Sequence, residues 1–302
     1  MSTAELTTVR DFLRHAVSLF RAAKIVHGHG TTSVLDEAAF IILETLHLPV
    51  DDINPWLDAK LLKAERAALT KIIAARVKTR KPAAYLLKKT YMHGISFHVD
   101  ERVIVPRSYI GDLLMGGVLG PDGMALYETP VAIKSVLDLC TGSGCLAILA
   151  AMTFEDAAVD AVELSKDALA VARMNVKEHS MQERVALLQG DLFAPVTDKR
   201  YDLIITNPPY VAKAEVKAFP PEYRHEPVIA HLGGDDGFDI VRRILKDAPK
   251  HLTEDGVLVC EIGTGRDLLE ADFPKLPFIW VDTEESEGEV FALRARDLPQ
   301  QA

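Results

Sequence analysis

The chain has 302 residues, 48% of them hydrophobic, and a formal net charge of −10, enough length for two domains and a sizeable core. No apolar run reaches the ~20 residues that cross a bilayer. The opening MSTAELTTVRDFL carries acids and lacks the apolar stretch of a secretory signal. Three cysteines make no disulfide framework, which fits a reducing cytoplasm. The acidic balance speaks against a nucleic-acid partner and suits a basic protein one, because opposite fields speed encounter.

Residues 1–84 read as a small helical bundle. Leu6, Val9, Leu13, Ala16, Val17 and Phe20 recur at three and four, the mark of one apolar helix face. Phe40, Ile41, Leu43 and Leu46 predict a second helix after HGHGTT. Asp36 and Glu37 fit its first turn, where carboxylates suit the helix dipole. Leu61, Leu62, Ala68, Leu69, Ile72 and Ile73 predict a third helix that ends near Pro82. The basic stretch from Lys71 to Lys89 reads as a solvated face. Residues 85–105 change period: MHGISFHVDERVIV alternates and carries β-branched residues, so a β-hairpin connector is expected. Residues 106–302 form the third region, opening on a helix at PRSYIGDLL.

From Ser135 the pattern alternates strand and helix. Strands are expected at SVLDL, AAVDAVEL, VALLQG, YDLIIT and GVLVCEIG, with PFIWVDT and EVFALRA as a closing pair. This predicts an α/β fold, Rossmann-like, with a seven-stranded mostly parallel sheet and helices on both faces.

The first of these strands runs into LDLCTGSGCLAILAA. Gly142 and Gly144 permit a tight turn and close approach of a ligand to backbone, and GSGCLA fits a loose G-x-G-x-x-G/A pattern. Glu163 ends the next strand, about twenty residues on, where a carboxylate can accept from ribose hydroxyls. Asp191 ends the third and can meet an adenine amino group, with Leu192 against the ring. Either acid alone reads as a cap or turn residue; at successive strand ends they read as one binding edge. The cofactor is a nicotinamide dinucleotide or S-adenosylmethionine. Asp138, before the glycines, would suit a cationic sulfonium or amino group and repel a pyrophosphate, which leans towards S-adenosylmethionine.

TNPPY, Thr206 to Tyr210, ends the fourth strand on the same edge. Two prolines cannot continue a central strand, so the chain leaves the sheet on a rigid corner. That corner resembles the hallmark of methyltransferases acting on planar nitrogens, side-chain amides or exocyclic base amines. An amide nitrogen is a poor nucleophile and needs placement more than a strong base. The Asn207 side-chain oxygen and the Pro208 carbonyl can each accept one N–H of an NH₂ group. Pro209 stiffens the turn, and Tyr210 offers a ring for packing.

The whole chain is similar to the glutamine-specific protein methyltransferases that modify release factors or a ribosomal protein. FHVDERVIVPRSYIGDLL (Phe97 to Leu114), LDLCTGSGCLAI, EYRHEP and DGFDIVRRIL resemble the branch that acts on large-subunit ribosomal protein L-three. The release-factor branch usually shows Pro-Arg-Pro-Glu-Thr where this chain has PRSYI, and Gly-Thr-Gly-Thr-Gly where it has CTGSG. The resemblance implies a class I methyltransferase fold that uses S-adenosylmethionine. It implies a cofactor loop of Cys140, Thr141, Gly142, Ser143 and Gly144 completed by Glu163, Leu192 and Asn207, to which the strand-end reading adds Asp138 and Asp191, and a glutamine held by Asn207, Pro208, Pro209 and Tyr210. Phe97 and Arg107, on the connector, and His225 and Glu226 are candidates for the protein substrate, with structural pairing as the alternative for Arg107 and a self-bonded loop for the last two. Two departures stand out: Glu163 where Asp is common, and His231 and Leu232 where small residues are expected. Cys140, Cys145 and Cys260 read as small buried residues, and no metal site is expected. The alternatives are a release-factor enzyme, an exocyclic-amine methyltransferase of nucleic acid, which would need a basic channel, and a binding module without catalysis.

Overall fold

The computed structural model describes residues 5–119 and 132–298 and divides into two units. The first unit holds the described residues through Glu101 together with Val105–Arg107 and Phe219–Glu226; the second holds the remainder.

The first unit is built from α1 (Val9–Ala22), α2 (Val34–Thr45), α3 (Lys63–Thr79), the short α4 (Ala83–Leu87) and a hairpin of β1 (Thr90–Met92) and β2 (Ile95–Phe97). Thr8 starts α1 with a reciprocal cap: its Oγ1 accepts from the Asp11 N–H at 3.2 Å, and the Asp11 carboxylate accepts from the Thr8 N–H at 2.9 Å. Of the expected stripe, Val9, Ala16 and Phe20 are buried and Leu6, Leu13 and Val17 partly so; together with Phe12, which the spacing does not mark, they pack with Ile41 and Ile42 of α2 and Leu69 and Ile73 of α3. The third helix starts later than its apolar spacing predicts. Leu61 and Leu62 precede it, and Leu62 is 69% exposed at the cap position. The hairpin is also shorter than the connector read from the sequence, because α4 takes residues 83–87. Its turn places His93 and Gly94 at φ +51° and +76°, the pair of left-handed residues that matches strand twist in a two-residue loop.

One charge departs from its sequence reading: Arg76 is fully buried rather than on a solvated face. Glu37 lies in the first turn of α2 as expected and is 2% exposed. The Arg76 Nε and Nη2 donate to the two Glu37 oxygens, and Arg76 also donates to the Val26 and Arg80 carbonyls at 3.2 and 3.0 Å. Burial works to raise the Glu37 carboxyl, and its bonds to His27 and Arg76 override this and hold it low.

Two more buried acids sit in the Phe219–Glu226 segment. Glu222 accepts from the Val26 N–H at 3.1 Å and pairs with Arg80 at 2.5 Å. Glu226 accepts from the Val105 N–H and from both terminal nitrogens of Arg107, each at 2.9 Å.

In the second unit, α5 (Tyr109–Met115) precedes a sheet of β3 (Ser135–Leu139), β4 (Ala158–Glu163), β5 (Val185–Gln189), β6 (Tyr201–Thr206), β7 (Leu252–Glu261), β8 (Ile279–Trp280) and β9 (Val290–Arg294). Its order is β5-β4-β3-β6-β7-β9-β8. The first five are parallel neighbours, and β9 lies antiparallel to both β7 and β8. The connecting helices are α6 (Cys145–Thr153), α7 (Lys166–Glu178), α8 (Lys213–Ala218), α9 (Asp239–His251) and α10 (Arg266–Asp272). The seven expected strands therefore form one seven-stranded, mostly parallel sheet. β3 and β6 are nearly continuous apolar runs because both of their faces are covered. Between β3 and β6 the strand order reverses direction, which opens a crevice at their carboxyl ends.

Removing one partner of the Arg76–Glu37 pair strands the other charge in the bundle. Arg76→Ala is expected to lower stability by about 3–5 kcal/mol in urea denaturation, while the double exchange Glu37→Leu with Arg76→Met loses much less.

Candidate active site

The crevice is organised by the end of β3. Cys140, Gly142 and Gly144 all take left-handed backbone, at φ +58°, +57° and +80°, which folds five residues into a tight turn before α6. The Thr141 N–H donates to the Val162 carbonyl at 3.1 Å, and the Gly144 N–H returns to the Thr141 carbonyl at 2.9 Å. Asn175 donates to the Ser143 carbonyl at 2.8 Å, pinning the turn to α7. At Gly144 a methyl group would press on the Ala172 Cβ at 3.3 Å, whereas at Gly142 it would meet nothing nearer than the Cys140 carbonyl at 4.0 Å. Gly144 serves packing, and Gly142 leaves a concave, open backbone surface.

Acids line this edge. Glu163, at the end of β4, accepts from the Gly142 N–H at 2.9 Å and the Ser165 N–H at 2.8 Å. Each carboxylate oxygen keeps acceptor capacity for a hydroxyl. Asp191, after β5, is half-exposed and pairs with Arg243 at 2.7 Å. Leu192 beside it is 8% exposed and held at φ +49°. Asp138 is fully buried. Its Oδ2 accepts from the Thr141 hydroxyl, while its Oδ1 has no hydrogen-bond partner among the described residues. Burial pushes this carboxyl up to about 7, the Glu163 charge adds to the rise, and the Thr141 hydroxyl and Ala147 N–H oppose it only in part. A buried acceptor left open beside a concave glycine turn fits a ligand that brings a positive donor. Cys145 and Cys260 are buried and Cys140 is half-buried, and burial pushes all three thiols up.

Residues 207–210 leave β6 on the same edge. Leu139 of β3 is in register with Thr206 of β6, and the Thr206 hydroxyl donates to the Leu139 carbonyl at 2.9 Å. The corner is stiffened from a distant loop. The Val211 N–H donates to the His231 carbonyl at 2.8 Å, and the Gly233 N–H donates to the Val211 carbonyl at 3.0 Å. A methyl group at Gly233 would lie 2.6 Å from the Pro209 carbonyl oxygen, so glycine is required for that approach. Among the described residues no backbone N–H outside the regular helices and strands donates to the Pro208 carbonyl.

Sequence reading missed Glu261. It ends β7, is 2% exposed, and accepts from the Ser108 hydroxyl at 2.6 Å and the Tyr109 N–H at 3.0 Å. Tyr210 Oη lies 3.4 Å from its other oxygen. An acid closing the apolar run GVLVCE, directly before Ile-Gly, was the available signal.

The candidate residues thus fall into two groups. The glycine turn, Asp138, Glu163, Asp191, Leu192 and the residues Asn207 to Tyr210 share one edge of one sheet. Phe97, Arg107, His225 and Glu226 belong to the first unit. There Phe97 is fully buried and offers no surface. Arg107 and Glu226 hold each other, and His225 Nε2 lies 3.0 Å from the Thr79 carbonyl.

The sheet order and this edge define a class I methyltransferase that uses S-adenosylmethionine. Residues 125–219 match the family model described as Methyltransferase small domain. The catalytic domain of hMettl16, solved with a MAT2A 3′UTR hairpin, superposes with a TM-score of 0.50 at 16% identity over 80% of this chain and 84% of that one, a likeness of fold alone. The ribosomal protein uL3 glutamine methyltransferase of Bradyrhizobium diazoefficiens is 58% identical over 97% of this chain and 92% of its own length. Its counterpart in Burkholderia pseudomallei is 51% identical over 99% and 98%, and that of Bordetella pertussis 50% over 97% of each. The chain belongs to the family of ribosomal protein uL3 glutamine methyltransferases.

Asp138 yields a prediction with a defined sign. Its folded value near 7 lies above that of the unfolded chain, so the wild type loses stability as pH rises from about 4 to 7. The melting temperature of Asp138→Asn, relative to wild type, is expected to move upwards across that window. Calorimetric titration with S-adenosylmethionine at pH 8 should show at least tenfold weaker binding by the same variant.

Proposed function

We propose that the chain methylates the side-chain amide nitrogen of a glutamine in ribosomal protein uL3, with Asn207 and Pro208 as the acceptors that hold the amide. The observation that carries this reading is the alignment of Leu139 with Thr206, which starts the glycine turn and the Asn-Pro-Pro-Tyr corner at one level of the sheet. S-adenosylmethionine fits the residues of the edge. Glu163 would take the ribose hydroxyls, Leu192 and Asp191 the adenine, and the open oxygen of Asp138 the cationic end. When bound, it supplies an electrophilic methyl group on a sulfonium.

The chain's own task is to make a resonance-stabilised nitrogen present its lone pair. Asn207 Oδ1 and the Pro208 carbonyl each accept one N–H of the amide, fixing the plane of the group. As positive charge grows on the nitrogen, both acceptors bind it more strongly than in the ground state, which is the condition for lowering the barrier. Pro208 and Pro209 restrict the backbone, and the Gly233 loop braces the turn, so the acceptors need no reorganisation. The ring of Tyr210 gives the flat amide a wall. Once methylated, the nitrogen is acidic and releases its proton to water.

The first unit, and above all residues 1–84, is the part we assign to selecting the protein substrate, with the hairpin region as its connector. A net charge of −10 suits a basic substrate in the cytoplasm and disfavours a nucleic acid, whose phosphates would be repelled.

The test is transfer of a radiolabelled methyl group to purified uL3, release factors and nucleic acid side by side, with uL3 glutamines changed singly to alanine. Label should enter uL3 and vanish with one glutamine; label on nucleic acid or release factor alone would displace the reading. Asn207→Ala should lower kcat by on the order of a hundredfold or more while the Kd for S-adenosylmethionine changes only a few-fold.

A further inference from the structure

The reaction as derived uses the Tyr210 ring but leaves open what sets its position. Two contacts of the second unit converge on that ring. On one side Gly263, at φ +58°, comes so close that an added Cβ would lie 2.8 Å from Tyr210 Cε2 and 3.3 Å from Cδ2. At the far end Glu261 Oε1 lies 3.4 Å from the phenol oxygen. Glu261 is itself immobilised: its Oε2 accepts the Ser108 hydroxyl at 2.6 Å and the Tyr109 N–H at 3.0 Å, both at the start of α5.

A carboxylate is a costly choice for this place. Burial pushes Glu261 up to about 7; the neighbouring Glu289 adds to the rise, and the donors Ser108, Tyr109 and Tyr210 oppose it. A neutral side chain at the end of β7 would avoid that desolvation. The carboxylate adds two acceptor oxygens, one turned to α5 and one to Tyr210.

We propose that Glu261 is a positioning residue for methyl transfer: it ties the start of α5 to the Tyr210 hydroxyl and, with Gly263, fixes the plane of the ring against which the acceptor amide lies. This rests on the reading of Asn207 to Tyr210 as the acceptor site. Glu261 touches neither the reacting nitrogen nor the methyl group. It acts through one hydroxyl, so its effect must disappear when that hydroxyl is gone.

The experiment is a double-mutant cycle on the full chain with Glu261→Gln and Tyr210→Phe, read as kcat with uL3 and S-adenosylmethionine saturating, alongside the Kd for S-adenosylmethionine by calorimetry. Each single variant is expected to lower kcat by on the order of tenfold, to leave that Kd within about twofold, and to show no further loss when combined. Losses that multiply, or wild-type kcat in either single variant, would overturn the proposal. A purely structural role for Glu261 would weaken donor binding and thermal stability in the Tyr210→Phe background as well. If Glu261→Gln does not fold, Tyr210→Phe decides alone: a lower kcat at unchanged Kd supports the positioning, and wild-type kcat refutes it. Asn207→Ala is run in parallel. Full activity there removes the acceptor-site reading and this proposal with it, whereas an inactive Asn207→Ala beside an unaffected Glu261→Gln removes the proposal only.

Discussion

The second unit depends on one registration, that of β3 with β6. These strands are parallel neighbours across the point where the sheet order reverses, and they end together, Leu139 opposite Thr206. The Thr206 hydroxyl seals the pair by donating to the Leu139 carbonyl. A slip of one residue would turn every side chain to the other face and would separate the glycine turn from the Asn-Pro-Pro-Tyr corner by about 3.3 Å. If the two strand ends hold donor and acceptor as proposed, methyl transfer needs them in line, and this hydrogen-bonded ladder sets that alignment.

Buried acids divide the chain into two regimes. In the first unit Glu37, Glu222 and Glu226 each meet an arginine, Arg76, Arg80 and Arg107 respectively, and the charges cancel in place. At the sheet edge Asp138 has no cation partner among the described residues and Glu261 is met by two hydroxyls and a backbone N–H, with both carboxyls raised by burial. Desolvation left uncompensated in the protein is available to be offset by a bound positive group. The donor carries such a charge, so if Asp138 holds it as proposed, folding free energy forgone there reappears as affinity.

Local patterns were legible in the sequence. The seven strands announce themselves as apolar, β-branched runs ended by Gly, Pro or acids, and the α1 face by its spacing. That the candidate residues share one edge was legible for the same reason, because strand ends carry them and the order of strands and helices dictates which ends meet. Contacts distant in sequence were not. Nothing near Glu37 says that it will meet Arg76, and Glu222 and Glu226 bond to Val26 and Val105, 196 and 121 residues away. Leu61 and Leu62 continue an apolar pattern that the chain breaks, because the cap geometry before α3 places Leu62 outside the helix. Glu261 escaped notice because an acid after a hydrophobic strand resembles an ordinary strand end.

The Phe219–Glu226 segment makes the first unit discontinuous along the chain. Its helices and hairpin come from the beginning of the polypeptide, yet two of its charge partners are encoded more than a hundred residues later. A fragment cut after residue 107 would retain Arg80 and Arg107 with their carboxylates missing, and the N–H groups of Val26 and Val105 would lose their acceptors. The acceptors that complete this half are therefore present only in a chain that extends to residue 226. Any chimera that exchanges the first unit must carry both stretches as a matched set.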